Sequence, residues 1–294
     1  MTKTMRASQR TITAPFRFII GIVRFFSRWF RNVTGEIREF FTEEPEDSPL
    51  PDALAKTVEN PLGLLVHLDA LRKHLLRSVA FLALTTAFSF TFARQILEFL
   101  TQPLPGGVDS IVAIDVTEPI GTLMRVALLS GFAIALPYIA LELWLFIAPG
   151  VGRRTRIWGL LSIPIVTLFF LGGMAFAYFV MMPAAVPFLL NILGIPTQVR
   201  PSSYIGFVTG LMFWVGIAFE FPLVIFLLAS LGIVKARALA QQWRLAIVII
   251  AIASAMITPT IDPVNMSLVM GPMILLYFLS IGLAFLAQRG RSRD

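Results

Sequence analysis

The stretch GIAFEFPLVIFLL, Gly216 to Leu228, is apolar except for one carboxylate, Glu220, two residues before Pro222. A lone acid in such a run has two chemical uses. It stays protonated and hydrogen-bonded to a neighbouring helix, or it faces a wetted groove and engages a polar group of a partner or passenger. Ionisable groups kept inside apolar spans are costly, which favours the functional use. Pro222 has no N–H to give to the carbonyl of Ala218, so an acceptor is freed beside the acid. Further polar exceptions stand in HLDALRKHLLRS (Asp69, Arg72), in ELWLFIAPGVGRR (Glu142), in ITPTIDP (Asp262) and at Arg125. Other chemistries are excluded. The chain has no cysteine and only two histidines, His67 and His74, so thiol catalysis and Cys or His-rich metal sites are absent. No P-loop, GxSxG or metal-ligand spacing occurs, so neither an enzyme nor a bound cofactor is expected.

The elements that carry these residues follow from composition. Of 294 residues, 57% are hydrophobic and 14% charged, and mean hydropathy is +0.81. Soluble domains carry about 25% charged residues, so the chain reads as a membrane protein. A crossing helix needs about 20 apolar residues. Five runs meet or approach this: Leu75–Phe92, Ile120–Leu141, Ile157–Val180, Phe207–Leu231 and Leu268–Ala287. A shorter sixth, Leu245–Ile257, is followed by TPTIDP and another run, and reads as one arm of a helical hairpin. Basic residues set the orientation. Arg72, Lys73, Arg77, Arg153, Arg154, Arg156, Lys235, Arg237, Arg244, Arg289, Arg291 and Arg293 fall on one side, against Arg94 and Arg200 on the other. The positive-inside rule then predicts six spans with both termini cytoplasmic. The charges gather at span flanks, so no nucleic-acid partner is expected.

Residues 1–45 read separately, as a cytoplasmic basic region. Arg17, Arg24, Arg28, Arg31 and Arg38 fall on one narrow face at helical pitch, with Phe, Ile, Val and Trp on the rest. The pattern predicts an interfacial amphipathic helix bound to anionic lipid, or a helix packed on a partner protein. Residues 46–60 read as an acidic, proline-rich linker, 61–289 as the six-span domain, and 290–294 as a basic C-terminal tail.

Taken in order, HLDALRKHLLRS, DVTEPIGTLMRVAL, FIAPG, GMAFAYFV, FEFP and ITPTIDP resemble the TatC family, the multispanning subunit of the twin-arginine protein translocase. The resemblance covers roughly Asn60 to Arg289. It implies an all-α membrane protein with six helices in a concave bundle and an N-in, C-in topology in a bacterial or archaeal cytoplasmic membrane. It further implies binding of the twin-arginine signal peptides of folded passengers, single-span TatA- and TatB-like partners, a homo-oligomer within a receptor complex, and proton-gradient-driven export. Glu220, Arg72, Pro103, Phe146 and Asp262 match family positions; Glu220, Asp262 and Pro103 form the polar and partner-contacting set. Three positions depart. The family pattern H-L-x-E-L-R is here H-L-D-A-L-R, so Ala70 replaces an acid and Asp69 stands one place earlier. Thr155 replaces the acid of the first cytoplasmic loop, and Met266 stands where glutamine is frequent. The first two lost acids are those that hold the paired arginines in the family. Glu142 is a carboxylate the pattern does not demand. It is therefore expected to accept the arginines, with Asp69 auxiliary or paired to Arg72 or Lys73, and with Arg72 and Phe146 completing the signal-peptide site. Two rival readings are a TatC-like scaffold without signal-peptide recognition and a proton-coupled secondary transporter.

Overall fold

The structure is a computed structural model that describes residues 61–150, 153–191, 198–258 and 263–291. The expected amphipathic helix in 1–45, the linker 46–60, Asp262 and the end of the basic tail lie outside the described residues. The chain divides into two compact units, Met1–Asn60 with Ile147–Arg156, and Pro61–Phe146 with Ile157–Asp294. Among the described residues of the first unit, Ala148–Gly150 forms one tight helical turn. Arg156 closes it: Nε donates to the carbonyl of Ala148 at 2.9 Å and Nη2 to that of Pro149 at 3.3 Å. The APG of the FIAPG motif is thus a turn whose orphan carbonyls are capped by a guanidinium.

The second unit is helical. In chain order the helices are α1 (Pro61–Phe90), α2 (Ala93–Leu100), α3 (Glu118–Ile147), α4 (Arg153–Phe176), α5 (Met182–Asn191), α6 (Pro201–Ser230), α7 (Ala236–Gln241), α8 (Trp243–Ile257) and α9 (Pro263–Arg291). Apart from one isolated bridge, Ile111 to Val199, no strand occurs among the described residues. α1, α6 and α9 each open on proline, which fits the first helical position because its missing N–H has no partner there anyway. In the third apolar run, α4 passes into α5 through a π-helical segment, Ala177–Met181. Together they make one 32-residue span, Gly159–Leu190.

Among the described residues, four helices are long and apolar enough to cross a membrane: Glu118–Ile147, Gly159–Leu190, Pro201–Ser230 and Pro263–Gln288. The first predicted run is a bent pair, His67–Phe90 and Ala93–Leu100, turning by 75°. The run Leu75–Phe92 therefore ends two residues early, and the chain after it turns into α2 instead of stopping in a loop. The short run Leu245–Ile257 lies in a 15-residue helix, α8, about 22 Å long at 1.5 Å per residue.

The main core joins α2, α3, the π segment, α5, α6 and α9, with Leu100, Val126, Ala127, Met181, Ile205, Val208 and Val269 buried. Two tyrosines fasten α2 to it. Tyr178 donates to the carbonyl of Phe99 at 2.6 Å, and Tyr204 to that of Leu100 at 3.0 Å. These are terminal carbonyls that α2 itself cannot bond. A smaller cluster, Ile225, Ala229, Ala236 and Ala284, joins α6, α7 and α9.

Candidate functional site

The residues of α1 that bear on the site fall into two groups. His67, His74, Arg77 and Phe81 are spaced by seven, three and four, so they lie along one stripe of the helix. Each of them meets α3. His67 stacks on Phe146 at 4.5 Å, and His74 meets the edge of the same ring at 6.2 Å. Phe81 packs on Tyr138 at 4.5 Å. Between these contacts sits Glu142, with 0% of its side chain exposed. Tyr138, one turn earlier on α3, donates its hydroxyl to Oε1. His74 Nδ1 lies 2.5 Å from Oε2, and Arg77 Nη1 is 3.9 Å from the same oxygen. A buried carboxylate is tolerable only when both oxygens are engaged in this way. Nearby, Trp144 is buried, and a methyl added to Gly159 would overlap its ring.

Ala70 belongs to the same stripe, three residues after His67 and four before His74. The site whose acid is missing from α1 therefore faces the helix that supplies Glu142. Asp69 lies about 100° round the helix from Ala70. It is exposed and pairs with Lys73 at 2.7 Å. Arg72 is exposed as well, and Phe146 is half-exposed.

Glu220 lies on α6 one turn after Gly216, where α6 runs against α4. A Cβ added to Gly173 would come within 2.8 Å of the Gly216 Cα, so the two backbones touch. Glu220 is half-buried, and its Oε1 is buried with no hydrogen-bond partner among the described residues. Pro103 lies in the turn after α2, where Leu104 N–H bonds to the Thr101 carbonyl at 3.0 Å. The structure thus gathers Glu142, Phe146 and the α1 stripe, and leaves Asp69, Glu220 and Pro103 elsewhere.

A further cluster was not legible in the sequence. Glu118, at the start of α3, is 7% exposed. Its Oε1 accepts Ser202 N–H at 3.0 Å and the Ser202 hydroxyl, and Arg200 Nε lies 3.4 Å away. Its Oε2 accepts the N–H groups of Ile114 at 3.0 Å and Asp115 at 3.5 Å. Only the TEP of DVTEPIG hinted at it, as a helix start. Among the described residues no group of three or more His, Cys, Asp or Glu could hold a metal ion.

The model of the Sec-independent protein translocase protein TatC matches residues 66–272. The chain belongs to the TatC family. A TatC from Deinococcus radiodurans is 37% identical over 248 residues, covering 82% of this chain and 91% of its own. One from Koribacter versatilis is 33% identical over 252 residues, covering 82% and 92%. A crystal structure titled as the twin arginine translocase receptor TatC superposes with a TM-score of 0.67 at 32% identity, covering 76% of this chain and 99% of that one. The chain is therefore a multi-pass membrane subunit of the TatC type, all-helical, and a translocase component instead of an enzyme.

Proposed function

We propose that this TatC-type subunit receives twin-arginine signal peptides on the α1–α3 face and that Glu142 is the carboxylate that holds an arginine. One observation carries the reading: the carboxylate absent at Ala70 is replaced, on the facing helix, by one already in contact with two cationic-type side chains, His74 and Arg77. A guanidinium matches a carboxylate through two parallel donors. Because Glu142 is buried, an incoming arginine reaches it by displacing His74 from Oε2. Phe146 supplies an aromatic face beside it. Asp69, whose exposed pair with Lys73 exchanges readily, and Arg72 form the outer rim. Six crossings follow if the bent pair and α8 each count as one, with α8 thinning the bilayer around it. Both termini are then cytoplasmic, in a cytoplasmic (inner) membrane. Glu220, Asp262 and Pro103 are proposed contacts for single-span TatA- and TatB-like partners in a homo-oligomeric receptor complex. The proton gradient drives export, and residues 1–45 bind anionic lipid.

The test is affinity of a twin-arginine signal peptide for the purified protein. Loss of a charge-assisted bond of about 1.5–3 kcal/mol predicts roughly a 10- to 150-fold weaker complex for Glu142→Gln, and a smaller loss for Asp69→Asn. Unchanged affinity in Glu142→Gln would overturn the assignment and favour a scaffold without recognition.

A further inference from the structure

The segment 112–116, VAIDV between α2 and α3, is apolar except for Asp115. Val112, Ile114 and Val116 are 48%, 73% and 96% exposed. Three branched apolar side chains so open to solvent are unfavourable unless something covers them. The intervening polar group, Asp115, is occupied within its own turn, where Oδ1 accepts the N–H and the hydroxyl of Thr117 at 3.1 and 3.2 Å.

The backbone of the segment is unusual in a second way. Three of its five N–H donors bond to protein. Val112 N–H bonds to the Val199 carbonyl at 3.1 Å. The N–H groups of Ile114 and Asp115 bond to the buried Glu118 carboxylate. Glu118 N–H bonds to the Asp115 carbonyl at 3.2 Å. An irregular segment can leave bulk water only when its polar backbone groups have partners, and here Glu118 provides two of them.

A third observation selects the occupant. On α3 the residues Ile120, Met124 and Leu128, spaced by four, are all more than half exposed, while Val126 and Ala127 are buried. In a membrane-spanning helix that exposed stripe is the lipid-facing surface. The same step of four, carried back from Ile120, reaches Val116, with Ile114 and Val112 exposed beyond it.

From these we infer that 112–116 is a lipid anchor: Val112, Ile114 and Val116 insert at the headgroup–acyl boundary of a phospholipid bilayer, continuing the lipid-facing stripe of α3. The segment carries no cation, so the contact is with the apolar boundary and not with an anionic headgroup. Glu118 is a positioning residue for it. The inference rests on α3 as a membrane span, and the test carries its own control for that.

The chain has no cysteine, so single cysteines can be spin-labelled selectively. The full chain with Asp109→Cys, Ile114→Cys, Val116→Cys or Leu128→Cys is reconstituted in phosphatidylcholine vesicles. Collision with oxygen and with a water-soluble nickel chelate is then measured. The expected result is a lipid-like ratio, oxygen exceeding nickel, at 114, 116 and 128, and a water-like ratio at 109. A lipid-like label at 128 beside water-like labels at 114 and 116 overturns the anchor while leaving α3 as a span. A water-like label at 128 overturns both. Labels at 114 and 116 that turn lipid-like only after a single-span partner is added overturn the anchor in favour of a protein interface.

Discussion

Replacing His74 by alanine should destabilise the α1–α3 contact. The substitution leaves the Glu142 carboxylate buried, with the Tyr138 hydroxyl on Oε1 and Arg77 3.9 Å from Oε2. Removing one partner of a buried hydrogen bond leaves the other short of a partner, at about 1–3 kcal/mol. Glu142→Leu removes the carboxylate instead and takes the acceptor from the His74 ring, at about 1–3 kcal/mol. The double variant His74→Ala with Glu142→Leu should cost less than the sum of the two, because neither member of the bond is left without the other. The expected coupling is about 1–3 kcal/mol. Glu142→Gln, which keeps acceptor and donor capacity, should cost only about 1 kcal/mol. The assay is reversible unfolding of the purified protein in mixed micelles, run as a double-mutant cycle. Additivity of the two single variants to within about 0.5 kcal/mol would refute the reasoning, since the pair would then not be coupled.

Other predictions follow from the same geometry. A methyl at Gly131 would lie 2.6 Å from the Thr86 Cα, so Gly131→Ala should destabilise by about 1–3 kcal/mol in the same unfolding assay. Gly172→Ala meets nothing within 4 Å and should be neutral or slightly stabilising, as helix propensity favours alanine. Glu220→Ala should impair export in a passenger assay more than Glu220→Gln, because the glutamine retains a hydrogen-bonding group at the position of the unpartnered Oε1; equal activity of alanine variant and parent argues against a role in export. Deleting residues 1–45 should weaken binding to anionic vesicles and leave the spans inserted, which co-sedimentation and protease mapping can check.

The long apolar runs were legible because period and length alone report a crossing helix, and α3, α6 and α9 lie where hydropathy placed them. The bend between Phe90 and Ala93 was not, since Thr91 and Phe92 carry no breaker, and the tyrosines that hold α2 come from distant parts of the chain. For the site, His67, His74 and Arg77 stood in the open in HLDALRKHLLRS, and their spacing marks one stripe. Which helix that stripe would meet is a tertiary fact, so the union of His74 with Glu142, 68 residues away, could not be read from pattern. Glu142 was visible as an extra carboxylate, but its burial was not. Glu118 was hidden for the same reason: its partners Ser202 and Arg200 are brought to it only by the packing of α6 on α3.

Recognition on the α1–α3 face is tested most directly by site-specific photo-crosslinking. A photoreactive residue replaces Ala70, which lies on the α1 stripe between His67 and His74, and separately Leu168, 68% exposed on α4. A twin-arginine signal peptide should crosslink at position 70, be competed by unlabelled peptide, lose the crosslink in the Glu142→Gln background, and give none at 168. A crosslink at 70 that a twin-lysine peptide makes equally well, or that survives Glu142→Gln undiminished, would contradict the account.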